Sequence, residues 1–128
     1  MMIILGLAGA EGSERHALAT AKAINIIKPT HLSALCLMLY RGSELLEQYE
    51  AGKFNPLSPA GLMRELKLII ENIDLPADRH CLFRSNHVSN YVQLAATLPH
   101  DKQRLLRDID YSIAQLSKLK SWDVYNYN

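Results

Sequence analysis

Apolar residues occur along the chain in two kinds of pattern, short continuous runs and stripes at helical spacing. Residues 1–5 form a continuous apolar run that Gly6 closes, and this pattern is typical of a parallel strand buried on both faces. A second apolar run predicts a strand over residues 31–39, and a shorter one predicts a strand over residues 80–84. The sequence therefore predicts three strands, the first of which begins at the first residue.

Four helices are predicted between and after these strands. The first covers residues 13–27, with its leading serine as the N-cap, and a short amphipathic helix covers residues 43–50. A Ser-Pro pair opens a third helix over residues 58–74, because proline at the first helical position lacks only an N–H that the helix does not use. Asp101 is placed to cap a last helix, whose apolar stripe consists of Leu105, Ile109, Ile113 and Leu116.

Strands and helices alternate in this interpretation, which favours an α/β fold built from parallel β/α units. Residues 1–120 are expected to form one domain, residues 85–99 an irregular polar stretch, and residues 121–128 a frayed tail. Ligands of such folds gather at the carboxyl ends of the strands. The predicted site material is therefore three loops, at residues 6–12, 40–43 and 85–91.

Composition and charge narrow the class of protein. The chain has 128 residues, of which 48% are hydrophobic and 21% charged, and these are ordinary values for one globular domain. Its formal charge of +1 provides no surplus of cations for binding nucleic acid. Its apolar runs are far shorter than the roughly 20 residues that span a bilayer. Cys36 and Cys81 lie inside apolar runs without metal-binding spacing, so we expect buried reduced thiols in a cytoplasmic protein without a membrane segment.

The glycine-rich turn after the first strand is a candidate binding loop. Gly6, Gly9 and Gly12 recur at three-residue spacing before a helix N-terminus, where free N–H groups and the helix dipole favour an anion or the polar edge of a ligand. The spacing differs from the dinucleotide fingerprint, and no Walker lysine follows. Tight-turn glycines without a ligand are an equally good interpretation. Glu11 is the carboxylate of this loop, and an acid at a helix start is usually a partner of the helix dipole.

A second candidate is the polar loop that follows the third strand. Hydrogen-bonding groups are dense in this loop, and His87 can transfer a proton near neutral pH. Its predicted substrate-binding residues are Arg84, Asn86, His87, Asn90 and Tyr91. A loop rich in Asn and Ser can also satisfy its own backbone. No catalytic residue and no metal ligand is predicted, because acid-base pairs and metal spacings are not recognisable.

Several segments, in this order, resemble the later half of a radical S-adenosylmethionine domain, as found in iron-sulfur oxidoreductases related to coproporphyrinogen-oxidase-like and tRNA-methylthiotransferase-like enzymes. The resemblance covers residues 1 to about 117, and the order and spacing of the segments are more specific than any segment alone. The segments are IILGLAG (3–9) with Glu11 and Ser13-Glu14, YRGSEL (40–45), LSP (57–59), FRSNHVSNY (83–91) and LPHDK (98–102).

The resemblance implies a partial, half TIM-like (β/α)6 barrel in which a [4Fe-4S] cluster binds S-adenosylmethionine and cleaves it to a 5′-deoxyadenosyl radical. It implies that Gly6, Gly9 and Glu11 lie near the adenosine of the cofactor. Leu39, at the carboxyl end of the next strand, would face the adenine. The loop that begins at Arg84 would close over the mouth of the barrel.

The CxxxCxxC loop that holds the cluster in this family has no counterpart in the chain. The chain is therefore expected to be a C-terminal portion that binds no cluster alone. The partner would be the missing N-terminal barrel half or a homo-oligomer formed through the strand of residues 1–5, whose edge is otherwise open. The alternatives are a noncatalytic α/β module that binds a partner through its sheet edge and the apolar stripe of the last helix, or a degenerate remnant.

Overall fold

The computed structural model describes residues 1–37, 44–85 and 94–116. Strands and helices alternate in the first part of the chain, as the apolar pattern predicts. The elements are β1 (Met2–Leu5), α1 (Ser13–Ile27), β2 (His31–Cys36), α2 (Glu44–Glu50), α3 (Pro59–Glu71), β3 (Cys81–Ser85), β4 (Leu94–Leu98) and α4 (Lys102–Leu116).

The four strands form one sheet in the order β1-β2-β3-β4. Strands β1, β2 and β3 are mutually parallel, which confirms an α/β fold with a mostly parallel sheet. Strand β4 was not predicted. It lies within the stretch expected to be irregular, and it pairs antiparallel with β3 in the register that sets Cys81 opposite Leu98 and Ser85 opposite Leu94. The prediction of parallel β/α units alone was therefore wrong for this end of the sheet.

Only one face of the sheet is covered by the described helices. Burial alternates along every strand, so that in β1 Ile3 and Leu5 are buried while Met2 and Ile4 are exposed. Successive side chains of a strand point to opposite faces, and the buried set belongs to a single core shared with α1, α3 and α4. The first strand was expected to be buried on both faces, and in the structure it is buried on one.

Helix α3 is the centre of the helical layer, since it packs against α1 on one side and α4 on the other. Its start is the predicted one: the Ser58 hydroxyl accepts the N–H of Gly61 at 3.1 Å, and Pro59 is the first helical residue. The start of α1 differs from the prediction. Gly12 occupies the N-cap position of α1, and Ser13 is already helical with its hydroxyl directed elsewhere.

The apolar stripe of α4 belongs to the core. Leu105 and Ile109 are fully buried, and α4 packs against α3 and β4. The stripe is therefore not available as a partner-binding surface in the folded chain, so the alternative that used it for docking was wrong on this point. Cys36 and Cys81 are buried and free, as predicted.

Candidate functional site

The candidate site lies at the edge of the sheet where the parallel strands end. Strand β1 leads into the glycine turn of residues 6–12, and β3 ends at Ser85, where the polar loop begins. Because β1 and β3 are both parallel to β2 and flank it, the carboxyl ends of the three strands lie at the same end of the sheet. Two interstrand spacings separate them, roughly 10 Å. This separation is within the length of one nucleoside-sized ligand.

The glycine turn has a backbone conformation that requires glycine at two positions. Gly6 and Gly9 have φ angles of 84° and 72°, in the left-handed region that side chains with a Cβ avoid. The N–H of Gly9 donates to the carbonyl of Gly6 at 3.0 Å, which closes the turn. The glycines are therefore explained by the fold of the turn itself.

Glu65 of α3 holds the glycine turn of residues 6–12 on its buried side. The residue is 2% exposed, and its carboxylate accepts the N–H of Gly6 at 2.7 Å and the hydroxyl of Ser13 at 2.8 Å. One carboxylate thus joins the end of β1, the start of α1 and the middle of α3. No lysine or arginine within residues 1–37, 44–85 and 94–116 forms an ion pair with it. The Gly6 and Ser13 donors are therefore the compensation that the structure shows for burying this group.

The far side of the turn is covered by the segment before α3. The N–H of Ala10 donates to the carbonyl of Asn55 at 2.7 Å, and a Cβ built on Gly9 would lie 3.0 Å from that oxygen and 3.1 Å from the Phe54 ring. Gly9 therefore admits close packing by the protein's own chain. The exposed part of the turn comprises Leu7, Ala8, Ala10 and Glu11.

Glu11 is exposed and lines a shallow surface groove at the start of α1. The groove also includes Ala8, Glu14, Arg15 and Leu18. Two carboxylates and one guanidinium thus border it. A carboxylate at this position can accept hydrogen bonds from hydroxyl groups of a ligand that rests on the turn.

Cys36 ends β2 next to this turn. Burial raises the pKa of its thiol to about 12, and the nearby Glu65 carboxylate adds to the effect. Burial also raises the pKa of Cys81 on the neighbouring strand β3. Neutral, buried thiols on core positions of two strands do not fit an iron-sulfur cluster, because cluster ligands are thiolates. No step through a cluster can therefore be assigned to this chain.

Arg84 projects from β3 onto the open face of the sheet. The guanidinium donates to the carbonyl of Phe83 at 2.7 Å, and the residue lies in register with Ser33 on β2 and Ala95 on β4. The other four residues predicted to bind substrate, Asn86, His87, Asn90 and Tyr91, lie outside the described residues. The same holds for Leu39, for the loop of residues 40–43 and for the tail of residues 121–128.

Glu65 was missed by sequence reasoning, although the sequence contains a signal for it. It follows Leu62 by three positions and precedes Ile69 by four, so it lies on the apolar stripe of its helix. A carboxylate on a stripe that faces the core requires hydrogen-bond donors there. This signal identifies Glu65 as buried, but it does not identify Gly6 and Ser13 as the donors.

Comparison with known proteins finds no matching family model, no matching curated protein and no matching solved structure. Within the described ranges, no group of three or more His, Cys, Asp or Glu side chains is arranged to hold a metal ion. No helix in the described part of the chain is long and apolar enough to cross a membrane.

Proposed function

We propose that this chain is the C-terminal portion of a radical S-adenosylmethionine-type iron-sulfur oxidoreductase, which contributes contacts to the cofactor's adenosine and to the substrate but holds no cluster itself. The observation that carries the proposal is the one-sided parallel sheet. The described helices cover one face of β1, β2 and β3, and the side chains of Met2, Ile4, Leu82 and Arg84 are exposed on the other face. A barrel wall has this organisation, with helices outside and strand side chains directed inward.

The free edge of β1 supports the same proposal. Among the described residues, β1 pairs only with β2, so one edge of a parallel strand is unpaired. Further strands of a barrel would pair at this edge, and the open face would then line the interior. At the other end of the sheet, β4 runs antiparallel and bounds the parallel wall. The missing barrel portion would therefore join the chain at β1.

The residues at the strand ends have distinct roles under this proposal. Glu65 holds the glycine turn in place through Gly6, so that the exposed side of the turn faces the cofactor's adenosine. The carboxylate of Glu11 is available for the ribose hydroxyl groups. Arg84 places a cation on a face that is otherwise largely apolar, where it would bind an anionic group of the substrate.

The radical chemistry would be supplied by the cluster and S-adenosylmethionine, both held mainly by the partner portion. The residues of this chain would orient the adenosine and exclude water from the barrel interior. We also propose a cytoplasmic location, because two free buried thiols are typical of proteins in a reducing compartment.

The decisive experiment is complementation with an N-terminal portion that carries a CxxxCxxC segment, sought first in the DNA upstream of Met1. The two polypeptides are co-expressed and reconstituted anaerobically with iron and sulfide. Bound iron and sulfide are measured, and 5′-deoxyadenosine is measured after addition of S-adenosylmethionine and dithionite, which supplies the one electron that the cleavage consumes. We expect a stable complex that contains iron and sulfide and forms 5′-deoxyadenosine, whereas this chain alone does neither. Cluster binding by the chain alone would overturn the proposal, as would an active N-terminal portion that gains nothing from this chain.

Site residues are tested in the same complex by equilibrium dialysis with S-adenosylmethionine. Glu11→Ala is expected to weaken binding by about 10-fold or more, because a hydrogen bond to a charged acceptor contributes on the order of 1.5–3 kcal/mol. Glu71→Ala is the matched control, since Glu71 is an exposed carboxylate at the end of α3 and does not line the groove. Equal losses for the two variants would contradict the assigned position of the adenosine.

A further inference from the structure

The backbone groups along the free edge of β1 can be assigned from the ladder on its other side. The carbonyls of Met1 and Leu5 accept N–H groups of Ser33 and Leu37, both at 2.9 Å. Backbone groups of a strand alternate in direction, so odd-numbered residues of β1 face β2. Met2 and Ile4 therefore direct their N–H and carbonyl groups away from β2, toward the free edge.

Side chains already occupy part of this edge. The ring Nε2 of His16 on α1 lies 3.1 Å from the carbonyl oxygen of Ile4, and as the N–H tautomer it donates to that oxygen. One residue further along, the N–H of Gly6 donates to Glu65. Among the contacts of the described residues, the N–H of Met2, the carbonyl of Met2 and the N–H of Ile4 have no partner and are left for an added strand. The carbonyl of Ile4 becomes available only when His16 withdraws.

We infer that, where no N-terminal barrel portion occupies it, the free edge of β1 pairs antiparallel with β1 of a second copy of this chain, and that His16 limits this pairing by occupying the Ile4 carbonyl. A second copy and the barrel portion of the proposed function would exclude each other at this edge, because β1 has one free edge. A two-fold axis at Ile3 sets Met2 opposite Ile4 of the second copy. Each of these two pairs exchanges two backbone hydrogen bonds, so the interface contains four. Two of the four need an Ile4 carbonyl that His16 holds in the unpaired chain.

The strand itself is suited to a second copy. Residues 2–5 carry no charged side chain, so no like charges meet across the two-fold axis. Met2 and Ile4 are 65% and 38% exposed, and the proposed register places them side by side on the open face of the joined sheet. An exposed apolar edge strand is a pairing site that proteins commonly protect, and His16 provides such protection here.

The first test compares self-association of the wild-type chain, His16→Ala and His31→Ala by sedimentation equilibrium. Removing His16 frees one acceptor in each copy. A hydrogen bond of ordinary strength changes an association constant about 5-fold. Since the dimer uses two Ile4 carbonyls, the association constant of His16→Ala should be about 25-fold larger than that of the wild type. His31→Ala is the control, because His31 is also exposed but bonds the Thr30 side chain. Association of His16→Ala that is no tighter than that of the other two proteins would overturn the role of His16.

The second test adds Ile4→Pro to the His16→Ala chain. Proline removes an N–H that points away from β2, so the ladder within the chain is retained, while the added strand loses a donor and meets the proline ring. We expect the double variant to be monomeric with an unchanged circular dichroism spectrum. A folded double variant that dimerises as tightly as His16→Ala would show that association uses another surface and would overturn the inference.

Discussion

Glu65 is a carboxylate on an apolar helix face, and the structure gives a physical reason for its position. The turn after β1 leaves the Gly6 N–H inside the protein. A buried donor without an acceptor destabilises the folded state and so lowers the free energy of unfolding. Glu65 provides that acceptor and uses its second oxygen for Ser13. The serine that sequence analysis predicted as an N-cap therefore binds a tertiary partner instead.

Replacing Glu65 separates the hydrogen bonds from the packing. Glu65→Leu leaves the Gly6 N–H without an acceptor, and we expect the free energy of unfolding to fall by about 1–3 kcal/mol. Glu65→Gln retains an acceptor for Gly6 and can donate to the Ser13 oxygen, so its loss should be smaller. Urea unfolding measures both. The control is Arg64→Leu, at an exposed neighbouring position. If Arg64→Leu lowers the free energy of unfolding as much as Glu65→Leu does, the role of the carboxylate is contradicted.

At the scale of elements, periodicity predicted the parallel strands and all four helices but missed β4. The helices have apolar stripes, and α3 has a Ser-Pro start, so local signals define them. Strand β4 has the sequence LAATL, in which Ala95 is exposed and Ala96 is buried, so its alternation in hydrophobicity is weak. Its formation depends on pairing with β3, a contact that a pattern within one segment does not contain.

The turn from β4 to α4 is held by Asp101, whose carbonyl accepts the N–H of Leu105 at 2.9 Å as at a helix start and whose carboxylate binds back to β4. Its carboxylate accepts the N–H of Thr97 at 2.9 Å and lies 3.5 Å from Arg104. The bond from Thr97 is the largest cause and lowers the pKa of Asp101. Burial opposes it in part, and the charge of Arg104 lowers the pKa further. The charged form of Asp101 therefore stabilises the folded state.

The sign of the resulting pH dependence follows from the lowered pKa. The folded state holds the proton of Asp101 less tightly than the unfolded state, so this contribution is present above the ordinary pKa of 3.8 and is lost as the pH falls through the folded-state value. We expect Asp101→Asn to lower the Tm at pH 7 and to make the decline of Tm between pH 5 and pH 2.5 shallower than in the wild type. Thermal unfolding followed by circular dichroism measures both effects.

Asp108→Asn is the matched control for this titration. Asp108 also bonds Arg104, at 3.1 Å, but it lies on the exposed surface of α4 and receives no backbone bond from β4 in the described contacts. Its decline of Tm in acid should follow that of the wild type. If Asp101→Asn and the wild type lose stability in parallel as the pH falls, the contribution of Asp101 is contradicted.

At the scale of the whole molecule, the sequence predicted the class of fold but not that the sheet is one-sided. A strand with apolar residues at every position, such as β1, is typical of burial on both faces. In the described structure its second face is open, since no described element packs there. The glycine turn was predicted as a loop at a strand end, whereas its support by Glu65 and Phe54 depends on contacts between distant segments.

Two adjacent residues of β3 test whether the open face is free in the chain by itself. Leu82 is 37% exposed on that face, and Phe83 is fully buried on the other. Urea unfolding of Phe83→Ala should show a loss of about 3–5 kcal/mol, as for other buried aromatic residues. Leu82→Thr should cost less than about 1 kcal/mol, because threonine suits a strand and little apolar area is removed from contact. A loss for Leu82→Thr close to that of Phe83→Ala would show that the face is covered in the isolated chain.

If the face lines a barrel interior, Leu82→Thr should instead weaken the complex with the N-terminal portion, because association then buries the side chain that the isolated chain leaves exposed.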